Sequence, residues 1–129
     1  SELNERAMAL LGEVGLSDSA GLAASDLSYG QKRALEIATT LALDPSVMLL
    51  DEPTAGMGHE DVEPITELIA KVGKDRTIVI IEHNLSVVST LSERITVLKQ
   101  GEVLTEGSYA EVSSNPDVIS AYMGGVDEL

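Results

Sequence analysis

The sequence predicts an α/β fold in which mainly parallel strands are flanked by helices, and three observations predict it. Val47–Leu50 and Thr77–Ile81 are apolar runs without polar alternation, which is typical of strands buried on both faces of a parallel sheet. Between them, residues 60–72 carry apolar side chains at helical spacing. A strand–helix–strand order implies a right-handed parallel crossover, so we expect both strands to end at the same edge of the sheet.

Length, charge and composition restrict the function classes. The chain has 129 residues, no cysteine, three Tyr as its only aromatic residues and a net charge of −14, so we expect one domain with an aliphatic core and no disulfide. The negative charge argues against binding nucleic acid through its phosphates. No apolar stretch is long enough to span a bilayer and no signal-peptide pattern is present, which predicts a cytoplasmic chain without direct membrane insertion.

The first helix is predicted over residues 3–14, where apolar side chains recur at helical spacing and form a packing face. These side chains are Leu3, Ala7, Leu10, Leu11 and Val14. Gly15 is expected to end the helix. Residues 17–26 are rich in Ser, Asp, Gly and Ala without any periodicity, so they are interpreted as a loop.

The second helix is predicted to start near Ser28–Gln31 and to run to about Ala42. Its expected buried face consists of Ala34, Leu35, Ile37, Ala38, Leu41 and Ala42. The Ser28 hydroxyl can cap a free backbone N–H group, which is the commoner role of a serine in this place. The same helix end offers N–H groups and a partial positive charge that suit a phosphate, and Gly30 permits close approach. The residues alone leave both interpretations open.

Ionisable side chains follow both apolar runs. Asp51 and Glu52 follow the first run, and Glu82 and His83 follow the second. Because ligands of open α/β sheets bind beyond the carboxyl ends of the strands, this edge is the candidate site. The alternative is that an acidic pair belongs to a solvated loop or a helix cap, and that a single histidine is structural.

The remaining elements follow from periodicity and turn residues. The helix over residues 60–72 is expected to end at Gly73, with Lys71 and Lys74 matching its dipole. We then expect a helix at Leu85–Leu91, a hairpin of Arg94–Lys99 and Glu102–Glu106 turning at Gln100-Gly101, and short helices at Tyr109–Val112 and Asp117–Tyr122.

Three segments stand at a distinctive spacing: Leu27–Gln31, Val47–Asp51 and Pro53–Gly58. In that order they resemble the signature motif, the Walker B strand and the D-loop of the nucleotide-binding subunit of ABC transporters. Tyr29 in the signature and Thr54-Ala55-Gly56 most resemble the branched-chain amino-acid branch, as do Glu106-Gly107-Ser108 and Ala121–Gly125. The resemblance covers nearly the whole chain, and the joint spacing makes it specific.

The resemblance implies a fold and a domain organisation. It implies part of a P-loop NTPase-type three-layer fold that ends in a β-hairpin and short helices. Residues 1–129 are expected to be the C-terminal half of an ABC ATPase domain. About residues 1–43 would belong to the helical subdomain with the signature helix, and about residues 44–129 to the catalytic core.

The resemblance also implies site residues and the cofactors ATP and Mg²⁺. Asp51 would belong to the magnesium shell, through water, because magnesium keeps several waters. Glu52 would polarise the attacking water as a general base, and His83 would hydrogen-bond the γ-phosphate. The signature residues Ser28, Tyr29, Gly30 and Gln31 would contact the ATP held by the opposite subunit. His59 is interpreted as a surface residue.

The partners implied by the resemblance are transmembrane permease subunits and a second ATPase subunit. The chain would be cytoplasmic and peripheral on the inner face of the cell membrane, and it would serve an importer for branched-chain amino acids or a similar solute. The solute is selected by the permease and the binding protein. The family usually carries Asp or Asn at the position of Gly58, which belongs to the segment that couples the subunits, and Asp at the position of Asn84, so the sequence departs from the family pattern at these two positions.

The sequence contains no P-loop of the form Gly-x-x-x-x-Gly-Lys-Ser/Thr. Gly73-Lys74 is followed by Asp75 and precedes a strand, so it fails that pattern. We therefore expect this chain alone to be inactive as an ATPase. Without further strands to cover it, the sheet is expected to leave an apolar face and an edge bare, through which the isolated chain self-associates.

Two other functions are weighed against an importer ATPase. The first is a non-transport ABC ATPase acting on DNA or chromosomes, against which the acidic charge and the lack of heptad coiled coils argue. The second is a non-catalytic docking or dimerisation module derived from an ABC ATPase, against which the retained Glu52 and His83 argue.

Overall fold

The computed structural model describes residues 1–123. The chain divides into two compact units, Ser1–Asn84 and Leu85–Leu129, and each is described by itself below. The predicted division near residue 43 is a different partition, based on family subdomains, and it stays a prediction.

The first unit contains three helices and two strands, close to the predicted bounds. They are α1 (Glu2–Glu13), α2 (Tyr29–Leu41), β1 (Val47–Asp51), α3 (His59–Val72) and β2 (Thr77–Ile81). The segment interpreted as a loop contains two short 3₁₀ turns, Ser17–Ser19 and Ala24–Asp26, and a third turn, Gly73–Asp75, follows α3. The predicted elements of this unit are confirmed to within one or two residues.

The two strands form a parallel pair, as the strand–helix–strand order predicts. The register runs from Val47 opposite Thr77 to Asp51 opposite Ile81. Past the end of β1, the Glu52 amide still donates to the Ile81 carbonyl over 2.7 Å. Both strands therefore end at one edge, and the residues that follow them are neighbours.

The core of this unit lies between the sheet and two helices. Met48 on β1 is only 1% exposed, and it faces the same way as Leu50 because side chains alternate along a strand. The buried residues of the two helices are Gly30, Ala34, Ile37, Ala38 and Leu41 of α2, and Ile65, Thr66, Ile69 and Val72 of α3. The predicted buried face of α2 is thus confirmed in its centre, while Leu35 and Ala42 are only half-buried.

The opposite face of the strand pair is bare. Leu49 is 77% exposed, and Val47, Val79 and Ile81 are also exposed. The interpretation of both runs as strands buried on both faces is therefore wrong here, because no described element covers the second face. The expectation of a bare apolar face on this sheet is confirmed.

The predicted packing face of α1 is wrong at its amino end, where Leu3 and Ala7 are exposed, whereas Leu10 and Leu11 are half-buried and Val14 is buried. Leu3 is 78% exposed and α1 contains no buried residue. Arg6 Nη2 donates to the Ala42 carbonyl over 2.5 Å, and at the carboxyl end of α1 Lys71 of α3 donates to the Glu13 carbonyl over 3.2 Å. The apolar spacing of α1 is real, but Leu3 in its first turn stays exposed.

The second unit contains a hairpin with helices on either side of it in the chain. The elements are α4 (Leu85–Leu91), β3 (Ile95–Lys99), β4 (Glu102–Gly107), α5 (Tyr109–Ser113), α6 (Pro116–Val118) and a π-helical turn (Ile119–Met123). Gln100 and Gly101 have φ of 52° and 81°, as a type I′ hairpin turn requires at both central positions. The hairpin and α5 match the prediction, and the last predicted helix is divided into α6 and the π-helical turn. Gly124 and Gly125, assigned to the branched-chain pattern, lie outside the described residues.

Candidate functional site

Glu52 is the first residue beyond β1 and it turns the chain sharply. Its φ is 45°, a left-handed conformation that is uncommon for a residue other than glycine. Such strained positions persist where the surrounding structure holds them, and they concentrate at functional sites. The backbone thus presents the Glu52 carboxylate at the edge of the sheet instead of continuing the strand.

The side chains of Glu52 and His83 are in direct contact. Glu52 Oε1 lies 3.0 Å from His83 Nδ1, and both side chains are partly exposed. A carboxylate can only accept a hydrogen bond, so Nδ1 carries the proton in this contact. A neutral imidazole then has an acceptor at Nε2, so donation from Nε2 to a phosphate requires the imidazolium or a rotated ring. The sequence predicts both residues at this edge, and the structure brings them together.

Asp51 ends β1 as an exposed side chain. By strand alternation it lies on the bare face with Leu49. Residues 1–123 contain no group of three or more His, Asp and Glu side chains that could hold a metal ion by themselves. Asp51 still fits magnesium, which is commonly held by one or two carboxylates together with substrate phosphates and water.

The amino end of α2 is closed by a capping box. The Gln31 amide donates to Ser28 Oγ over 3.3 Å, and the Ser28 amide donates to Gln31 Oε1 over 3.0 Å. The simpler interpretation of Ser28 as an N-cap is therefore confirmed. Because Oγ acts as acceptor in this bond, its own proton is still available to a phosphate oxygen. Gln31 also donates from Nε2 to Ser19 Oγ over 3.4 Å, which leaves the second proton of this NH₂ group for another acceptor.

Tyr29 connects α2 to the loop after β1. Its hydroxyl donates to the Ala55 carbonyl over 3.1 Å, and Arg33 Nη2 lies 3.5 Å from that hydroxyl. Sequence reasoning assigned Tyr29 to the nucleotide of the opposite subunit and did not predict this contact. The structure therefore gives Tyr29 a partner within its own chain.

Gly30 allows α2 and α3 to approach closely. A Cβ atom at this position would lie 2.8 Å from Asp61 Oδ1, which is closer than real contacts permit. The close approach at Gly30 is thus with a carboxylate of α3. Asp61 is attracted by the positive end of the α2 dipole and would repel an incoming phosphate.

A shallow depression of about 180 Å³ lies beside these residues. Its walls come from the turn after α1, the start of α2 and the first half of α3, including Leu16, Ser28, Gly30, Asp61 and Pro64. Sites that enclose a drug-sized ligand usually measure roughly 300–1,000 Å³. The depression is therefore too small to enclose a nucleotide, and the amino end of α2 can contact one only from one side.

Gly58, which departs from the family pattern, and its neighbour His59 lie at the start of α3. Gly58 is the N-cap of α3 without a side-chain cap, and His59 is the exposed first residue of that helix. An Asp or Asn at position 58 would supply the missing acceptor. The interpretation of His59 as a surface residue is confirmed.

Two profiles of known families match the sequence. The profile described as ABC transporter matches residues 2–55, and the profile described as Branched-chain amino acid ATP-binding cassette transporter matches residues 102–128. The chain belongs to the ABC transporter family of ATP-binding proteins. The resemblance drawn from the signature, Walker B and D-loop segments is thereby confirmed.

Curated relatives of this ABC family chain are named as ATP-binding proteins of branched-chain amino acid transport. The high-affinity branched-chain amino acid transport ATP-binding protein LivG of Salmonella typhimurium is 41% identical over 126 residues, which are 96% of this chain and 49% of LivG. The corresponding protein BraF of Pseudomonas aeruginosa is 39% identical over 125 residues, 95% of this chain and 49% of BraF. The chain spans about half the length of the curated relatives it matches.

Solved structures of ABC family proteins share the fold. The ADP conformation of MJ1267, an ATP-binding cassette of an ABC transporter, aligns with a TM-score of 0.86 and 30% identity over 96% of this chain and 51% of that chain. CbiO1 from Clostridium perfringens, part of the ABC transporter complex cbiONQ, aligns with a TM-score of 0.79 and 29% identity over 99% and 54%. The predicted α/β fold of the P-loop NTPase type is confirmed.

Proposed function

We propose that this chain is the part of an ABC importer ATPase subunit that supplies the water-activating residues and the signature segment. The importer would take up branched-chain amino acids or a similar solute, the substrate named for LivG and BraF. The observation that carries the proposal is the contact of Glu52 with His83 over 3.0 Å at the shared edge of β1 and β2. A solvated acidic loop would not need that pairing.

In this proposal Glu52 acts as the general base. It accepts a proton from the water that attacks the γ-phosphorus, while the bond to the bridging oxygen of ADP breaks. His83 donates to Glu52 through Nδ1, and it can also donate to the phosphate through Nε2 when it carries a second proton. Magnesium, when bound, neutralises charge on the phosphates, and Asp51 is suited to hold one of its waters.

The signature segment would act on the nucleotide of a second ATPase subunit. Helix geometry gives the amides of Tyr29 and Gly30 no acceptor within α2, and the dipole of a helix favours anions at this end. Ser28 retains a proton that it can donate. The Asp61 carboxylate repels the phosphate, so the attraction between the phosphate and the amino end of α2 must exceed this repulsion when the second subunit docks.

The proposed partners are permease subunits and a second ATPase subunit. The chain would be cytoplasmic and peripheral at the inner face of the membrane. No helix within residues 1–123 is both long and apolar enough to cross a membrane. The net charge of −14 argues against nucleic acid as a partner, because phosphate binding requires clustered Lys and Arg.

This chain alone is proposed to be inactive as an ATPase and to self-associate. The sequence offers no P-loop lysine or amide cradle for the β- and γ-phosphates. The bare apolar face around Leu49 is suited to contact a second chain. The docking-module alternative would require that Glu52 and His83 have no role in turnover.

The test uses a complete subunit that carries this sequence together with a P-loop. Glu52→Gln keeps the size of the side chain but removes the base, so we expect ATP binding to persist, hydrolysis to stop and an ATP-bound dimer to accumulate. His83→Ala should slow turnover without abolishing ATP binding. Phosphate release and bound nucleotide are measured in the same samples.

Matched controls are available for both substitutions. Glu67 is an exposed carboxylate on α3 and His59 is the other histidine, so Glu67→Gln and His59→Ala should retain wild-type turnover. Wild-type turnover in Glu52→Gln would contradict the role of Glu52. In the isolated chain, magnesium-dependent hydrolysis that disappears with Glu52→Gln would contradict its proposed inactivity.

A further inference from the structure

We propose that Glu82 is a positioning residue that ties the loop after β1 to the loop after β2 and so holds Glu52 against His83. This inference rests on the proposed function, because it concerns the same ATPase site. It begins from a carboxylate that the sequence places beside His83 but to which sequence reasoning assigned no role.

The Glu82 carboxylate accepts three hydrogen bonds from the two loops. Its Oε1 accepts the Thr54 amide over 3.0 Å and the Thr54 hydroxyl over 2.5 Å, and its Oε2 accepts the Asn84 amide over 3.2 Å. Thr54 is buried and Glu82 is half-buried. The Glu82 side chain therefore ties its own loop to Thr54, which is 28 positions away in the sequence.

Glu52 and His83 are close in sequence to the residues of this clamp. Glu52 precedes Thr54 by two residues, and its carbonyl accepts the Ala55 amide over 3.1 Å. His83 lies between Glu82 and Asn84, so the bond from the Asn84 amide to Oε2 closes the backbone around it. The backbone on both sides is short, so a displaced clamp changes the distance between Glu52 and His83.

The backbone of Glu52 explains why such a clamp is needed. With φ of 45°, Glu52 no longer follows the strand, and the regular pairing of β1 with β2 ends at Asp51 and Ile81. The ladder therefore fixes only the Glu52 amide, and the loop beyond it depends on other contacts, one of which is the bond from the Tyr29 hydroxyl to the Ala55 carbonyl. Thr54 supplies another by donating twice to the same carboxylate oxygen.

Glutamine at position 82 would remove part of the hydrogen bonding of the clamp while keeping the size of the side chain. The amide has one oxygen and one NH₂ group, and an NH₂ group cannot accept from the backbone of Asn84 or Thr54. At least one of the two loops is then released. Thr54→Val removes the hydroxyl donor from the other side of the same contact and keeps the shape of the residue.

The experiment measures kcat, ATP affinity and thermal stability of the complete subunit for Glu82→Gln, Thr54→Val and the double variant. We expect Glu82→Gln to lower kcat roughly 10- to 100-fold, as loss of hydrogen bonds to a charged group implies, with ATP affinity changed less than about threefold. Thr54→Val should lower kcat less, and the double variant should not lower it by the product of the two single effects, because both changes remove one contact.

The matched control is Glu106→Gln. Glu106 also accepts a threonine hydroxyl, from Thr96 over 2.6 Å, but in the hairpin of the second unit. This variant should keep wild-type kcat. If it lowered kcat as much as Glu82→Gln does, loss of any such carboxylate would explain the effect and the positioning role would be overturned.

Glu52→Gln in the same series separates this inference from the proposed function. If Glu52→Gln stops hydrolysis but Glu82→Gln keeps wild-type kcat, only the positioning role is overturned. If Glu82→Gln weakens ATP binding and lowers stability in proportion to its loss of kcat, Glu82 has only a structural role and the inference is also overturned. If Glu82→Gln does not fold, the kcat of Thr54→Val decides whether the positioning role holds. If Glu52→Gln leaves hydrolysis intact, both the proposed function and this inference are contradicted.

Discussion

The contact of Glu52 with His83 restricts what each residue can do at one time. While Nδ1 donates to Glu52 Oε1 over 3.0 Å, the carboxylate has a second oxygen available for water. The imidazole can serve a phosphate as donor only after it gains a second proton or turns away from Glu52. The order of these contacts, and not only the presence of the residues, therefore matters for turnover.

The Glu106 carboxylate in the hairpin has a lowered pKa. The Thr96 hydroxyl and, after it, the Arg94 guanidinium hold the pKa of Glu106 below its usual value of 4.5. Because the folded pKa is depressed, these contacts stabilise the hairpin above the usual pKa, and the stabilisation is lost as the pH falls through the folded pKa. Glu106 is solvent-exposed, so screening keeps this contribution small.

We expect Thr96→Val to raise the pKa of Glu106 towards its usual value, because it removes the largest cause of the depression. The carboxyl carbon of Glu106 is followed by NMR while the pH is lowered from neutral. Thr105→Val makes the same change on β4 without touching this hydrogen bond and should leave the titration unchanged. An unchanged Glu106 titration in Thr96→Val would contradict the assignment.

At the scale of elements, the strand pair separates neighbouring residues into two environments. Met48 and Leu49 are adjacent in β1, yet one is 1% and the other 77% exposed. Strand alternation accounts for the difference, since α2 and α3 cover one face of the sheet and no described element covers the other. Sequence hydrophobicity does not distinguish the two residues.

We expect Met48→Ala to lower the free energy of unfolding by about 2–5 kcal/mol, because it deletes a buried side chain and leaves a cavity. At a protein concentration too low for self-association, Leu49→Ala should change it by no more than about 0.5 kcal/mol, since that side chain then contacts solvent. Chemical denaturation of the two variants gives both values. Equal losses would mean that the second face is also covered in solution.

The sequence predicts the elements well because each is bounded by residues with local physical consequences. The apolar runs, the serine cap of α2 and the Gln100-Gly101 turn act over a few residues. What covers an apolar face is not a local property, so the exposure of Leu3 and Leu49 was not predicted for those side chains. The contact between Glu82 and Thr54 was missed because it joins two loops distant in sequence.

At the scale of the whole molecule, the bare apolar face and the negative charge have opposite effects. Val47, Leu49, Val79 and Ile81 form a continuous apolar surface on two paired strands. At roughly 25 cal/mol per Å², burying a few hundred Å² of it amounts to several kcal/mol. Repulsion between chains of charge −14 is screened over about 8 Å at physiological salt.

We expect the isolated chain to self-associate through this face. Sedimentation velocity across a range of concentrations should show a larger species for the unmodified chain and a monomer for Leu49→Lys. Leu43→Lys changes an equally apolar, exposed residue in the loop before β1 and should not prevent association. A monomer that binds no apolar dye at any concentration would contradict the prediction.

The hydrogen bond from the Tyr29 hydroxyl to the Ala55 carbonyl has a mechanical consequence. At 3.1 Å it tolerates an extension of less than about 0.5 Å before it ceases to be a hydrogen bond. A larger shift of the first turn of α2 must either break this bond or pull the peptide of Ala55 with it. The Ala55 amide donates to the Glu52 backbone carbonyl, so while the Tyr29 bond holds, a shift of α2 is transmitted to the backbone of Glu52.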